Sequence, residues 1–259
     1  MQVEYAPRGL VGVLTPQANT TVEPELAVLM PPGFGWINGR LVSRRDGMLD
    51  RLRDYFGSYE AALEQFANAP VAAIGVACTG ASYLAGVATE DTTLARLSEK
   101  AGVPVITAAT AVCDALNALG ARRICLVSPY PEALDLASQD YWTARGFEVV
   151  ARPSAWREVD AFHPIYSMPS DATMVALDQA AGKGADAVVM LGTGMPTLRP
   201  IRARPEIDGA PVLSCMLAIA WRLCRAAEGR PADGDSLRDW IAARHWGDRI
   251  DGLPRAQAA

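Results

Sequence analysis

The chain has 259 residues, half of them hydrophobic and 20% charged, with 24 basic against 29 acidic side chains and a formal net charge of −5. That length buries a sizeable core as one large or two small domains, and the acidic balance argues against nucleic acid or an anionic membrane as an electrostatic partner. Met1 to Gly9 lacks a basic-then-apolar leader and no apolar run reaches the roughly 18 residues of a bilayer span, so a soluble, cytoplasmic protein is expected.

In chain order, short apolar runs alternate with longer helical stretches. Leu10 to Leu14 reads as a strand, followed by helices over Val22 to Met30 and Leu49 to Ala67. Val71 to Ala77 and Val103 to Thr107 are strands flanking a helix over Thr92 to Ala101, and Ala109 to Leu119 is helical. The same alternation then returns. Strands are expected at Ile124 to Ser128, Glu148 to Arg152, Ala187 to Leu191 and Val212 to Cys215, with helices over Pro131 to Arg145, Asp171 to Lys183 and Leu217 to Glu228. Leu237 to Trp246 reads as a terminal amphipathic helix. Gly102, Gly120, Gly146 and Gly184 each follow a helical stretch, where a left-handed C-cap is expected. Such alternation implies parallel sheets with helices on both faces.

Two short segments are written twice. Val13-Leu14-Thr15-Pro16 is echoed by Leu126-Val127-Ser128-Pro129, 113 residues on, and Val76-Ala77-Cys78-Thr79-Gly80 by Met190-Leu191-Gly192-Thr193-Gly194, 114 residues on. Two matches at nearly one spacing indicate duplicated α/β halves facing each other across a cleft. The halves are expected at 1–112, completed by 213–259, and at 113–212. The duplication also predicts that Cys78 and Gly192 face one another. Ligands of open α/β sheets bind beyond the carboxyl ends of the strands, and Pro16 to Asn19, Cys78 to Gly80, Pro129-Tyr130 and Gly192 to Gly194 all fall in such loops.

Of five cysteines, at 78, 113, 125, 215 and 224, none makes a Cys-x-x-Cys pair, and the only histidines are His163 and His245. That speaks against a disulfide framework and a zinc site. Cys78 ends an apolar strand and opens into Thr79-Gly80-Ala81-Ser82, where backbone N–H groups hold anions and lower a thiol pKa. The other four sit among apolar neighbours and read as structural, Cys215 least clearly because it ends a strand. Asn19, Thr20 and Thr21 offer short donors to a carboxylate, or alternatively Thr20 or Thr21 caps a helix with Glu23 in its first turn. Tyr130, in the matching loop of the second half, is a hydrogen-bonding group or weak acid, or a packed loop tyrosine. Ser82, Thr110 and Thr193 are weaker hydroxyl candidates. His163 beside Pro164 reads as structural or solvated. Arg199, Arg202 and Arg204 read as a solvated face, with attraction of an acidic substrate as the alternative. There is no dinucleotide fingerprint, P-loop or Gly-x-Ser-x-Gly elbow, so no cofactor is expected.

Pro16-x-x-Asn19-Thr20-Thr21 and Cys78-Thr79-Gly80, with Pro129-Tyr130 and the stretch Pro211 to Trp221, resemble the aspartate/glutamate racemase superfamily in its maleate isomerase and arylmalonate decarboxylase branch. The resemblance covers most of the chain. It implies two flavodoxin-like parallel-sheet halves related by pseudo-two-fold symmetry, an active site between them, homo-oligomeric assembly, and metal-free chemistry by two cysteines on opposite faces of a small carboxylate. It places the isomerase nucleophile at Cys78 and substrate contacts at Asn19 and Tyr130. Thr20, Thr79, Gly80, Ser82, Gly192, Thr193 and Gly194 complete the expected binding set.

The second cysteine of the pattern would fall at Gly192 and is absent. Arylmalonate decarboxylases keep one cysteine at that other position, so this chain is their mirror image. Racemisation needs an acid and a base on opposite faces, whereas cis–trans isomerisation needs one adding thiol. The expected activity is therefore a maleate isomerase-like reaction through Cys78, with the thiol held below the usual range and alkylated before the other four. Alternatives are an arylmalonate-type decarboxylase using one cysteine as proton donor, a cysteine hydrolase of a small amide, and an inactive carboxylate-binding protein. Gly192 is expected to leave room opposite Cys78.

Overall fold

A computed structural model of the protein describes residues 3–158 and 163–254. Strands β1 (Gly9–Pro16), β2 (Phe34–Leu41), β3 (Ala73–Val76) and β4 (Val105–Thr107) form one all-parallel sheet in the order β2-β1-β3-β4. A second sheet comprises β5 (Arg123–Val127), β6 (Glu148–Ala151), β7 (Ala187–Met190), β8 (Glu206–Ile207) and β9 (Ala210–Ser214). Its order is β6-β5-β7-β9-β8, parallel except for β8 against β9. Removing the short β8 leaves two sheets of one topology, in which β1 answers β5 and β3 answers β7. The echoed segments therefore occupy equivalent strands, and Cys78 and Gly192 follow equivalent strand ends.

Helices α1 (Val22–Leu29), α2 (Met48–Gly57), α3 (Tyr59–Leu63), α4 (Thr79–Ala85), α5 (Val87–Ala101) and α6 (Ala108–Leu119) accompany the first sheet in sequence. Helices α7 (Glu132–Ala144), α8 (Ser170–Asp178), α9 (Leu198–Ala203), α10 (Cys215–Ala227), α11 (Gly234–Ile241) and α12 (Gly247–Asp251) follow. Gly102 and Gly120 close α5 and α6 in the left-handed conformation, as their position after helical stretches predicts. No helix of the described residues is long and apolar enough to cross a membrane.

Several elements depart from the sequence reading. β2 was not anticipated: its Gly35, Asn38 and Gly39 dilute the β-branched signal, which an edge strand tolerates. The expected helix Leu49 to Ala67 breaks after Gly57 into α2, α3 and a 3₁₀ turn at Glu64–Phe66, and glycine is a poor helix former. The helix expected from Thr92 starts much earlier, because α4 begins directly after Cys78 and only Gly86 separates it from α5. The helix expected over Asp171 to Lys183 ends at Asp178.

Helix α10 is apolar on nearly every face, with Cys215 to Trp221 all buried, and such a helix belongs in a core. It packs on α6, α1, β1 and β3. Although it leaves the second sheet at β9, it covers the first. Gly75 of β3 makes that approach possible: a Cβ there would stand 2.7 Å from Leu223 Cδ1 and 3.1 Å from Ile219 Cδ1.

Candidate active site

β3 is fully buried and hands the chain through Ala77 to Cys78, whose extended backbone (φ −149°, ψ 90°) precedes the first turn of α4. The thiol sits at the carboxyl end of the sheet, where parallel folds bind ligands. It lines a cavity of about 40 Å³ together with Pro16, Thr79, Gly80, Tyr130 and the Gly192-Thr193-Gly194 loop, closed by Leu52, Leu134, Ile165 and Tyr166. Seven of the ten residues expected at the site therefore meet in one space: Cys78, Thr79, Gly80, Tyr130, Gly192, Thr193 and Gly194.

Opposite Cys78, the expected room at Gly192 is not there. A Cβ on Gly192 would lie 3.0 Å from Pro129 Cγ and 3.2 Å from Tyr130 Oη, and the residue's φ of +80° disfavours any side chain. The Tyr130 hydroxyl stands where a second thiol would begin. It shares a 2.7 Å hydrogen bond with Thr79 Oγ1, and its ring packs edge-on against Tyr83. Burial pushes the phenol well above its ordinary pKa, so it is a neutral donor or acceptor. Gly192→Cys should accordingly fail to rebuild a relaxed two-thiol site and should cost about 1–3 kcal/mol, measurable by urea denaturation. A variant as stable as the parent would show that Tyr130 moves freely.

Asn19, Thr20 and Ser82 do not line this cavity. Thr21 holds the N-cap position of α1, as one reading of the sequence expects, but its side chain makes no capping bond; Asn19 Oδ1 instead accepts from Thr21 N (2.8 Å) and Val22 N (3.1 Å). Its Nδ2 donates to Thr193 Oγ1 at 3.4 Å, and Thr193 in turn donates to the carbonyl of Ala77 at 2.7 Å. Thr20 donates to Tyr166 O (2.9 Å) and Thr21 to Gly194 O (2.7 Å). These hydroxyls tie the loops of the two sheets together. Ser82 is fully buried in α4, its hydroxyl without a protein partner. Thr110 forms a capping box with Thr107 at the start of α6. Arg202 and Arg204 pair with Asp251 and Asp178, and Arg199 donates to the carbonyls of Leu253 and Pro254, all away from the cavity. Cys113, Cys125, Cys215 and Cys224 are buried within elements.

The sequence marks His163 but neither Tyr166 nor the buried Glu25. Tyr166 lines the cavity, and His163 stacks on it at 3.8 Å, its imidazole pushed down to about 4 by burial and by the field of Arg51. Glu25 of α1 is buried, and its Oε1 accepts from Thr197 N at 2.6 Å and Leu198 N at 3.3 Å. Thr197 Oγ1 lies 3.1 Å from Oε2 and 2.9 Å from Ser214 Oγ, which accepts from Leu217 N at the start of α10. Burial raises this carboxyl to about 7, against the pull of the Thr197 and Leu198 donors. An acid after two threonines looks like an ordinary first-turn helix residue, so nothing in the sequence marks it.

The Cys78 thiol itself reverses an expectation. Burial pushes it up to about 12, and the Ala81 N–H that pulls it down is outweighed. With Cys78 only 3% exposed, the single amide does not replace the lost hydration. Near neutral pH the thiol is therefore protonated. Alkylation of the native protein by iodoacetamide, followed by mass spectrometry from about pH 6 to 10, should therefore show no preference for Cys78 near neutrality and a rate that climbs without a plateau. A plateau below about pH 8 would contradict the burial argument.

The family model for arylmalonate decarboxylase matches residues 11–236. A maleate isomerase of Pseudomonas putida is 24% identical over 241 residues, spanning 85% of this chain and 92% of that protein. The Nocardia farcinica maleate cis–trans isomerase, in a mutant with a covalently bound succinylcysteine intermediate, superposes with a TM-score of 0.75 at 24% identity, covering 89% of this chain and 98% of the other. Arylmalonate decarboxylase superposes with a TM-score of 0.68 at 20% identity, covering 86% and 96%. With the family model spanning most of both sheets and the fold shared with both enzymes, the chain belongs to the arylmalonate decarboxylase family, in the branch of the aspartate/glutamate racemase superfamily that also holds the maleate isomerases.

Proposed function

We propose that this chain is a cofactor-independent, cysteine-dependent isomerase of a small cis-unsaturated dicarboxylate, acting as maleate isomerases do. The observation that carries the reading is Cys78 at the end of β3, the only cysteine lining a cavity that also holds the Tyr130 hydroxyl and the Gly192–Gly194 loop. Cys78 Sγ adds to one alkene carbon, the π electrons move into the carboxylate on the neighbouring carbon as an enediolate, and the thiol proton passes to that carbon. The former double bond, now single, rotates. Return of that proton and departure of sulfur restore the alkene in the trans form, with no net change in protons or electrons. A thiol that is neutral before addition carries the needed proton with it. Tyr130 and Thr79 share one hydrogen bond, which leaves one of their two hydroxyl protons to donate to the carboxylate that takes up charge, while Gly80, Thr193 and Gly194 offer backbone groups to the other. Asn19 and Thr20 support the loops around it.

The same reading makes the halves 1–112, completed by 213–259, and 113–212, working as a cytoplasmic homo-oligomer. A decarboxylase is the second reading, favoured by the neutral state of Cys78: after loss of CO2 the enediolate needs one proton donor, and a protonated thiol is one. Proton NMR in D2O with maleate and with a methyl-arylmalonate separates them. Fumarate signals support isomerisation, and a deuterated monoacid supports decarboxylation instead. Silence with both would leave a binding protein.

A further inference from the structure

Beside the Cys78 cavity lies a second space of about 190 Å³, nearly five times larger. Gln17, Met48, Arg51, Tyr55 and His163 line it, and Leu52 and Tyr166 line both spaces. The smaller cavity holds a few water-sized volumes, too few for a dicarboxylate together with any substituent. A substrate larger than maleate can extend past the Tyr166 ring into this second space.

Charge marks what that extension carries. Arg51 is half-buried on α2, and its Nη1 donates to the carbonyls of Asp46 (2.6 Å) and Arg45 (3.2 Å). Those bonds fix the guanidinium without neutralising it. The carboxylates nearby on the same segment are engaged elsewhere, Asp50 with Arg53 and Asp54 with Arg45 and Ser43, and Asp46 meets Arg51 through its carbonyl oxygen. No ion pair to Arg51 occurs among the described residues. Its field nonetheless reaches the cavity walls: it adds to burial in disfavouring protonation of His163, and it opposes the rise that burial gives Tyr55 and Tyr166. A neutral His163 and a positioned guanidinium with no ion pair among the described residues make a site for one planar anion.

We propose that Arg51 and this vestibule form a second anion subsite, so that the preferred substrate is a cis-enedioate bearing a short arm that ends in a carboxylate. The alkene sits at Cys78 and the arm's carboxylate lies on the Arg51 guanidinium. This deepens the isomerase reading and rests on it for the placement of the alkene, but not for the anion contact.

Saturated ligands test the contact without chemistry. In calorimetric titrations of the wild-type protein, propane-1,2,3-tricarboxylate should bind roughly tenfold or more tightly than succinate, the scale of one charge-assisted hydrogen-bonded pair. Arg51→Met should bring the two affinities to within about twofold, and Arg51→Lys should keep part of the difference. Cys78→Ser should keep all of it. Equal affinities in the wild type, or a tricarboxylate advantage that survives Arg51→Met, would overturn the proposal. If the advantage tracks Arg51 while neither maleate nor its carboxymethyl derivative is isomerised, the subsite stands and the isomerase reading falls.

Discussion

Cys78→Ser is expected to abolish fumarate formation from maleate, lowering kcat/KM by roughly 10³-fold or more while leaving the fold intact. A serine hydroxyl fits the same buried position but neither adds to an activated alkene nor leaves from the adduct as a thiolate does. None of the other four cysteines lines the cavity to take over, and the Tyr130 phenol is held neutral by burial. The loss should appear in kcat rather than in KM, because Thr79, Tyr130 and the Gly192–Gly194 loop remain to hold the carboxylates. Residual activity within tenfold of the wild type would remove Cys78 as the reacting group. Incubating the wild type with maleate and looking for a mass increase of one maleate on the Cys78 peptide, absent in the serine variant, is the direct complement.

The second large effect concerns stability. Glu25 is buried and its carboxyl is raised from 4.5 to about 7, so between those values the folded protein holds a proton that the unfolded chain has released. Its contribution therefore falls as pH rises through about 4.5 to 7 and is flat above, a change on the order of 3 kcal/mol by linkage. Glu25→Gln keeps an oxygen for the Thr197 and Leu198 amides and an amide donor for the Thr197 hydroxyl, while removing the buried charge. Relative to the wild type it should gain stability with rising pH, most at about pH 8. Glu25→Ala leaves the same donors unpaired and should lose about 2–4 kcal/mol at low pH. Urea unfolding of all three proteins at several pH values reads these differences directly, and the other titrating groups, His163 among them, cancel in the comparison. A wild type and Gln variant that run parallel across pH would show that Glu25 titrates alike in the folded and the unfolded chain, and would overturn the burial argument.

What the sequence made legible follows from where the information is local. The echoed strand-to-loop segments told of two like sheets and of Cys78 facing Gly192, because a strand end followed by small residues constrains geometry within a few positions. The buried strands β3, β5 and β7 were readable for the same reason: continuous apolar runs have few other uses. Long-range placement was not readable. Nothing local announces that Asn19 turns its oxygen to the amides of Thr21 and Val22 at the start of α1, that Tyr130 fills the volume Gly192 vacates, or that Tyr166 closes over Gly194 from a loop elsewhere in the second half. The thiol's protonation state was misread because the sequence shows the helix start beside Cys78 but not the burial that outweighs it. Arg51 and Glu25 were missed because an isolated charge in an amphipathic or first-turn position has an ordinary surface explanation until the neighbours are known.

The course of α10 has a consequence for synthesis. Gly75 presents β3 to Ile219 and Leu223, residues made more than a hundred positions after β4 is complete. At about 5–20 residues per second, that part of the first sheet waits on the order of 5–20 s on the ribosome with its apolar surface uncovered. Completion of the first sheet's cover is thus timed by the arrival of a helix synthesised more than a hundred residues after its last strand.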